Sequence, residues 1–202
     1  MSATLARLGF PGEEKPWAAL GFAVTDGCFR IGEIECTVDT APSWGFDGVS
    51  ADPAILGIPE LLPQYLDDDG LESRPGTAHP NAVSFIDHLV YWMPDLDDAV
   101  TALNAVLGTE PRRRFHPRGP AGPEMAFYRA GATVLEVVAS GKPAALPGIA
   151  FGTTDLDATV AAVRAAGGPV GDPKPAVQGG RIASVWHGHL NWGIAFYEPR
   201  PR

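Results

Sequence analysis

Two side chains in the 202-residue sequence stand where packing alone would not put them. Glu136 lies in the strand-like run "TVLEVVAS" (133–140), and His88 in "SFIDHLVYWM" (84–93). Strand alternation puts Val134, Glu136 and Val138 on one face. An ionised carboxylate between valines costs on the order of several kcal/mol unless a partner neutralises it or its pKa rises. The same alternation groups Ile86, His88, Val90 and Trp92 on one face and Phe85, Asp87, Leu89 and Tyr91 on the other. An imidazole and a carboxylate can exchange protons near neutrality, hold a divalent ion, or simply satisfy each other.

Other polar groups are candidates for the walls of a site. In "WHGHLNW" (186–192), His187 and His189 share a face if the strand continues, and either can supply a ligand or a proton. The alternative is a solvated aromatic loop. Arg113, in "RRRFH", can bind a carboxylate or phosphate, with His116 a weaker candidate. Trp92 and Tyr128 can line the pocket, or belong to the core as strand aromatics commonly do. Several chemistries have no motif: there is no lysine-bearing phosphate loop and no G-x-S-x-G elbow, and Cys28 has no adjacent His or Lys to activate it.

The elements that would position these residues repeat. "DLDDAVTALNAVLG" from Asp95 returns at Asp155 as "DLDATVAAVRAAGG", an offset of sixty. In the first copy Pro94 ends a strand and Asp95 caps a helix with Leu96, Val100, Leu103 and Leu107 at helical spacing; Gly108 stops it. Strands are expected over 110–117, 124–131 and 133–140. The second copy repeats this order: a strand over 148–154, a helix over 156–167, and strands in "PKPAVQ", "RIASVWHG" and "GIAFYEP". At the same offset His88 faces Gly148, and Glu136 faces Phe196. Two such units can join into one curved sheet with helices outside and a cleft inside.

Residues 1–80 lack an obvious unit of this kind. "WAALGFAVTDG", "CFRIGEIECTVD" and "SWGFDGVSA" look like three strands, followed by an acidic linker over 65–81. The expected organisation is α+β. Residues 1–80 form a β-rich N-terminal arm, or a degenerate unit lacking its first strand and helix. Residues 81–140 form the first strand–helix–three-strand unit and 141–202 the second.

Composition narrows the partners. The net charge is -9, and the only basic cluster is Arg112–Arg114, which argues against nucleic acid. No apolar run is long enough for a membrane helix, and the first residues lack a signal-like apolar stretch. With only two cysteines, reduced thiols and a cytoplasmic location are expected.

The tandem unit, with His in the first strand and Glu in the fourth, resembles the vicinal oxygen chelate superfamily of glyoxalases, bleomycin-resistance proteins and extradiol dioxygenases. "IDHLVYWMPDLDDAV", "MAFYRAGATVLEVV", "GIAFGTTDLDATVAAVRAAGG" and "WGIAFYEP" carry the resemblance. It implies tandem βαβββ units forming a curved mixed sheet around a cleft. It also implies a divalent metal of unspecified identity, with ligand positions at His88 and Glu136 and at their counterparts Gly148 and Phe196, which cannot coordinate. His88 and Glu136 are then a catalytic acid/base pair, a partial metal site or a structural pair; Trp92, Arg113, Tyr128, His187 and His189 are substrate-binding candidates. The implied function is binding of a small oxygenated molecule, with isomerase or lyase chemistry by proton transfer. The alternative is a metal-free binding or sequestering protein. Ring cleavage is disfavoured, no nucleotide cofactor is expected, and a homodimer is left open.

Overall fold

The computed structural model describes residues 3–63, 78–117, 119–177 and 179–200. Most of the segment read as an acidic linker lies outside them.

The first unit contains β5 (Phe85–Met93), α2 (Leu96–Leu107), β6 (Arg113–Phe115), β7 (Met125–Ala130) and β8 (Thr133–Ala139). The second contains β9 (Ala145–Gly152), α3 (Leu156–Ala165), β10 (Lys174–Pro175), β11 (Arg181–Ser184) and β12 (Gly193–Glu198). Both helices start on the leucine after a capping aspartate. Asp95 accepts from the amides of Asp97 and Asp98 at 2.8 and 3.0 Å, and Asp155 from that of Ala158 at 2.9 Å. Gly108 ends α2 in the left-handed region at φ 65°, where glycine carries no steric penalty. Val100 and Val160 hold the fifth position of their helices, so the sixty-residue offset survives through them.

All eight strands of the two units belong to one mixed sheet, ordered β10-β11-β12-β9-β5-β8-β7-β6. At its centre β5 and β9 run antiparallel, with Leu89 opposite Ile149. Each has its unit's last strand as a parallel neighbour: β8 beside β5 and β12 beside β9. The pairing relates the two units by a pseudo-twofold through the Leu89–Ile149 pair. The architecture is the α+β curved mixed sheet that the repeat implies.

The N-terminal residues depart from expectation. "TLARLGFP" is a strand, β1 (Thr4–Pro11), and "EKPWAA" is a short helix, α1 (Glu14–Ala19), where a strand was expected. The chain continues through β2 (Cys28–Ile31), β3 (Ile34–Asp39) and β4 (Ser43–Asp47). The apolar phase of Leu5, Leu8 and Phe10 drives β1, but alanine, glycine and proline beside it mask the pattern. Trp17 drives α1, fully buried, with its indole N–H donating to the Pro11 carbonyl at 3.0 Å. The four strands form a second sheet, β2-β3-β1-β4, in which β1 runs parallel to β3 and antiparallel to β4. This is the pattern β5 shows with β8 and β9. A first strand and helix are therefore present in this region; it has two strands, not three, between the helix and the antiparallel neighbour.

The second sheet packs on the back of the first. Phe10 stacks near Phe151 and meets Trp192 edge-on, with ring centroids 6.0 and 5.8 Å apart, while Trp44 lies 4.9 Å from Tyr91. Aromatic burial of this kind is the main source of cohesion between layers. The fully buried Asn81 fixes the chain between them, donating to the Leu20 carbonyl at 2.9 Å and accepting from the Val83 amide at 3.1 Å. The front of the eight-stranded sheet is left as the concave face.

Candidate functional site

Cross-strand pairing arranges the concave face in rows. One row reads Val134, His88, Ala150, Ala195 and Ser184 across β8, β5, β9, β12 and β11; the next reads Phe127, Glu136, Val90, Gly148 and Gly193 across β7, β8, β5, β9 and β12. Above them is a cleft of about 990 Å³ whose walls include Asp87, His88, Trp92, Glu136, Tyr197 and Lys142.

A bulge in β5 shapes its polar end. Ile86 pairs with Phe151 and His88 with the adjoining Ala150, so Asp87 is an extra residue opposite β9. The bulge breaks the simple alternation. Ile86, Leu89 and Tyr91 are buried in the core, whereas Asp87 joins His88, Val90 and Trp92 on the cleft. Expectation had put Ile86 beside His88 and Asp87 on the opposite face; both are reversed. A carboxylate in phase with Leu89 and Tyr91 was itself the signal, since it could not be buried there cheaply.

The bulge brings Asp87 Oδ2 to 2.8 Å from His88 Nδ1, with both side chains about a quarter exposed. A carboxylate can only accept, so Nδ1 carries the proton when the ring is neutral. The lone pair of Nε2 is left for the cleft. A histidine oriented this way by a carboxylate is suited to general-base work.

Glu136 lines the same cleft, half-buried on β8 opposite Val90. It is a diagonal neighbour of His88, a relation that spans about 7–8 Å. A molecule between them can meet both groups.

The counterparts in the second unit are Gly148 and Ala195. Val90 pairs with Glu136, and its equivalent Ala150 pairs with Ala195, so the offset is fifty-nine in the last strand. The sixty-residue match to Phe196 fails by one residue, and Phe196 is fully buried in the core instead. Gly148 is a glycine for a reason of space: a Cβ there would sit 2.5 Å from the Gly193 carbonyl oxygen. The start of β12 closes over the position where a second histidine would stand. Among the described residues no group of three or more His, Cys, Asp or Glu is placed to hold a metal. Gly148 and Ala195 have no coordinating atom, so of the four implied ligand positions only His88, through Nε2, and Glu136 could contact an ion.

The other expected residues divide. Trp92 lines the cleft, with Lys142 Nζ 4.7 Å from its ring centroid. His187 also lines it, but from a 3-10 turn (His187–His189) rather than a strand. His189 turns away, its Nε2 2.9 Å from the Pro16 carbonyl, and ties this turn to α1. Arg113 is exposed on β6 and is not part of the cleft wall. Tyr128 lies on the opposite side, fully buried under α2. Its hydroxyl donates to Asn104 Oδ1 at 2.6 Å, and burial pushes that hydroxyl's pKa up. His116 closes its own loop through the Gly122 carbonyl at 2.9 Å.

Asp87, Lys142 and Tyr197 complete the polar lining and were not expected from sequence. The Tyr197 hydroxyl donates to the Gly179 carbonyl at 3.0 Å; burial first, then the charge of Asp87, raises its pKa. Its position on the cleft follows from the one-residue slip that turns Phe196 inward.

The sequence profile of the Glyoxalase/Bleomycin resistance protein/Dioxygenase superfamily matches residues 87–184. No curated protein sequence matches the chain. Among solved structures, methylmalonyl-CoA epimerase from Mycobacterium tuberculosis is similar at 19% identity and TM-score 0.50, over 59% of this chain and 91% of that one. A hypothetical protein from Bacillus halodurans is similar at 16% identity and TM-score 0.48, over 58% and 95%. A Streptomyces coelicolor methylmalonyl-CoA epimerase variant in complex with 2-nitronate-propionyl-CoA shares 23% identity at TM-score 0.45, over 56% and 93%. The first of these, at TM-score 0.50, speaks to the fold alone. No helix among the described residues is long and apolar enough to cross a membrane.

Proposed function

We propose that the chain belongs, through the match over residues 87–184, to the Glyoxalase/Bleomycin resistance protein/Dioxygenase superfamily, and that its cleft binds a small oxygenated organic molecule and moves a proton on it. The observation that carries this reading is the Asp87–His88 pair at 2.8 Å on the cleft wall. His88 Nε2 takes a proton from a carbon next to a carbonyl or carboxyl group of the ligand. Asp87 holds the ring and offsets the charge that the imidazolium gains. Glu136, diagonal to His88, returns a proton to a second position or face. Lys142, held over Trp92 at the far end of the cleft, suits an anionic group of the ligand remote from the reacting carbon. The net reaction is an isomerisation, or an elimination when the ligand carries a leaving group.

A sequestering role is the second reading, favoured by the second-unit positions that match His88 and Glu136, where Gly148 and Ala195 offer contact but no chemistry. The working unit comprises residues 81–140 and 141–202, with residues 1–80 as its support. Cys28 and Cys36, both free thiols, suit a cytoplasmic setting.

Incubation in D₂O with small keto acids and acyl thioesters tests the reading. Deuterium entering the ligand next to its carbonyl, in the presence of the intact protein, is the expected result. Ligands that bind tightly without exchange would leave sequestering as the function.

A further inference from the structure

We infer that the preferred ligand is a flat, ring-bearing carboxylate, lying on the bare floor of the second unit with its acid group at Lys142. The inference rests on the proton-transfer reading and names the class of molecule that the same cleft would take.

The floor supplies the first observation. Opposite His88 and Val90 the four successive positions are Ala150, Ala195, Gly148 and Gly193. None carries more than a methyl group, so these four positions form a strip of peptide planes and small apolar bumps, and the larger second-unit side chains of the cleft include Ile182, His187 and Tyr197. Gly148 and Gly193 pack backbone on backbone, too close to admit a side chain at Gly148. A flat ring can approach such a surface over its whole face, and it gains from dispersion contact there. A branched or puckered molecule touches it at a few points only.

The edge of the cleft supplies a second. Val177 lies in the wall of the cleft at the tip of the β10–β11 hairpin, and it is 86% exposed. An exposed apolar side chain in the cleft lining is covered when an apolar body fills the cleft. Across the cleft, Trp92 presents its ring on the first-unit side.

Charge places the acid group. Arg7, Arg30, Arg114, Arg164 and Arg181 each face a carboxylate. Lys142 faces none among the described residues; its ammonium is held over Trp92, on the cleft wall. In a chain of net charge -9, a cation kept out of ion pairs at a cleft is available to a ligand anion. Trp92 is four residues from His88 along β5, which is about 13 Å at the usual strand rise. With both side chains reaching inward, the gap suits one ring plus a carboxylate. Lys174, at the other end of the cleft on the edge strand β10, lacks an aromatic ring to hold it there.

Titration calorimetry on the full chain tests the inference with 4-hydroxybenzoate, 4-hydroxybenzamide and cyclohexanecarboxylate as probes. 4-Hydroxybenzoate should bind at least about tenfold more tightly than either of the others. Lys142→Ala should remove most of that advantage over the amide, while Lys174→Ala should leave it in place. Ala195→Leu should abolish binding of the ring by filling the floor, and Lys142→Ala, at an exposed position, tests the anion end without threatening the fold. Equal affinities for the flat and puckered acids, equal affinities for acid and amide, or no binding of any probe would overturn the inference. The ranking of the three probes is read from affinity alone and needs no turnover. A failure of the proton-transfer reading appears only in the D₂O exchange experiment, with this ranking intact.

Discussion

The two halves of the cleft are made from the same five elements in the same order, yet the positions of His88 and Glu136 are armed in one and bare in the other. On the first unit a bulge turns Asp87 toward His88, and Glu136 stands on the neighbouring strand. On the second, the corresponding places hold Gly148 and Ala195, and the backbone at Gly193 lies across the first of them. The difference does not come from the repeated framework, because helix starts, caps and central pairing are common to both. It comes from a one-residue bulge in one copy and a one-residue slip in the other. Small changes of strand register decide which side chains reach the cleft, because each step of one residue reverses the face.

The largest expected effect comes from disarming the first half. His88→Gln should lower ligand exchange in D₂O by roughly 10²–10⁴-fold, the usual contribution of a positioned base, with affinity little changed. Equal rates for the variant and the parent protein would mean that the armed half does no chemistry. Asp87→Asn should have a smaller effect in the same assay, since the base remains but its ring is no longer held with Nδ1 protonated against a charge. The loss should be in turnover rather than in KM.

The bare half is tested through stability. Gly148→Ala forces its Cβ against the Gly193 carbonyl, and neighbouring backbone must shift to admit it. A loss of about 1–3 kcal/mol in urea unfolding is expected, as for overpacked cores. Unchanged stability would show that β12 does not bar a side chain from this place, and the asymmetry would then need a functional cause.

A second histidine sharpens the contrast. His79 is buried on the back of the molecule with both ring nitrogens used by the main chain: Nδ1 accepts from the Ala23 amide at 3.1 Å and Nε2 donates to the Arg30 carbonyl at 2.7 Å. Burial lowers its pKa below 6.5. As pH falls below 6.5 the unfolded chain takes the proton first, so this contribution to stability is present above 6.5 and lost as pH falls through the folded value. Melting temperature should therefore decline on acidification, and His79→Gln should lessen the slope. This is the smallest effect of the series, and it should leave exchange chemistry at His88 untouched.

The repeat made the helices and most strands of residues 84–199 readable, because caps, glycine stops and apolar period agree in both copies. The bulge was hidden, since period-two alternation has no place for an extra residue; only the polar character of Asp87 in an apolar phase betrays it. Phe196 was matched to Glu136 because the offset was constant through the helices, and nothing local marks the slip before β12. In β1 and α1, weak formers and short length diluted the pattern, and tertiary burial of Phe10 and Trp17 supplies what local preference does not. The cleft positions of His88, Glu136 and Trp92 agree with type and strand phase, whereas His187 reaches the cleft from a 3-10 turn that the strand reading did not contain. Arg113 and Tyr128 were not placed correctly, because an edge position and a helix-covered face look alike in a short strand.

The most direct test of the account is the protonation state of the His88 ring, read from its nitrogen and proton resonances in ¹⁵N-labelled protein at a pH where the ring is neutral. The account predicts a proton on Nδ1, bonded to Asp87, and an unprotonated Nε2 open to the cleft, with Asp87→Asn disturbing that pattern. A neutral ring protonated on Nε2, with the pattern unaffected by Asp87→Asn, would contradict it.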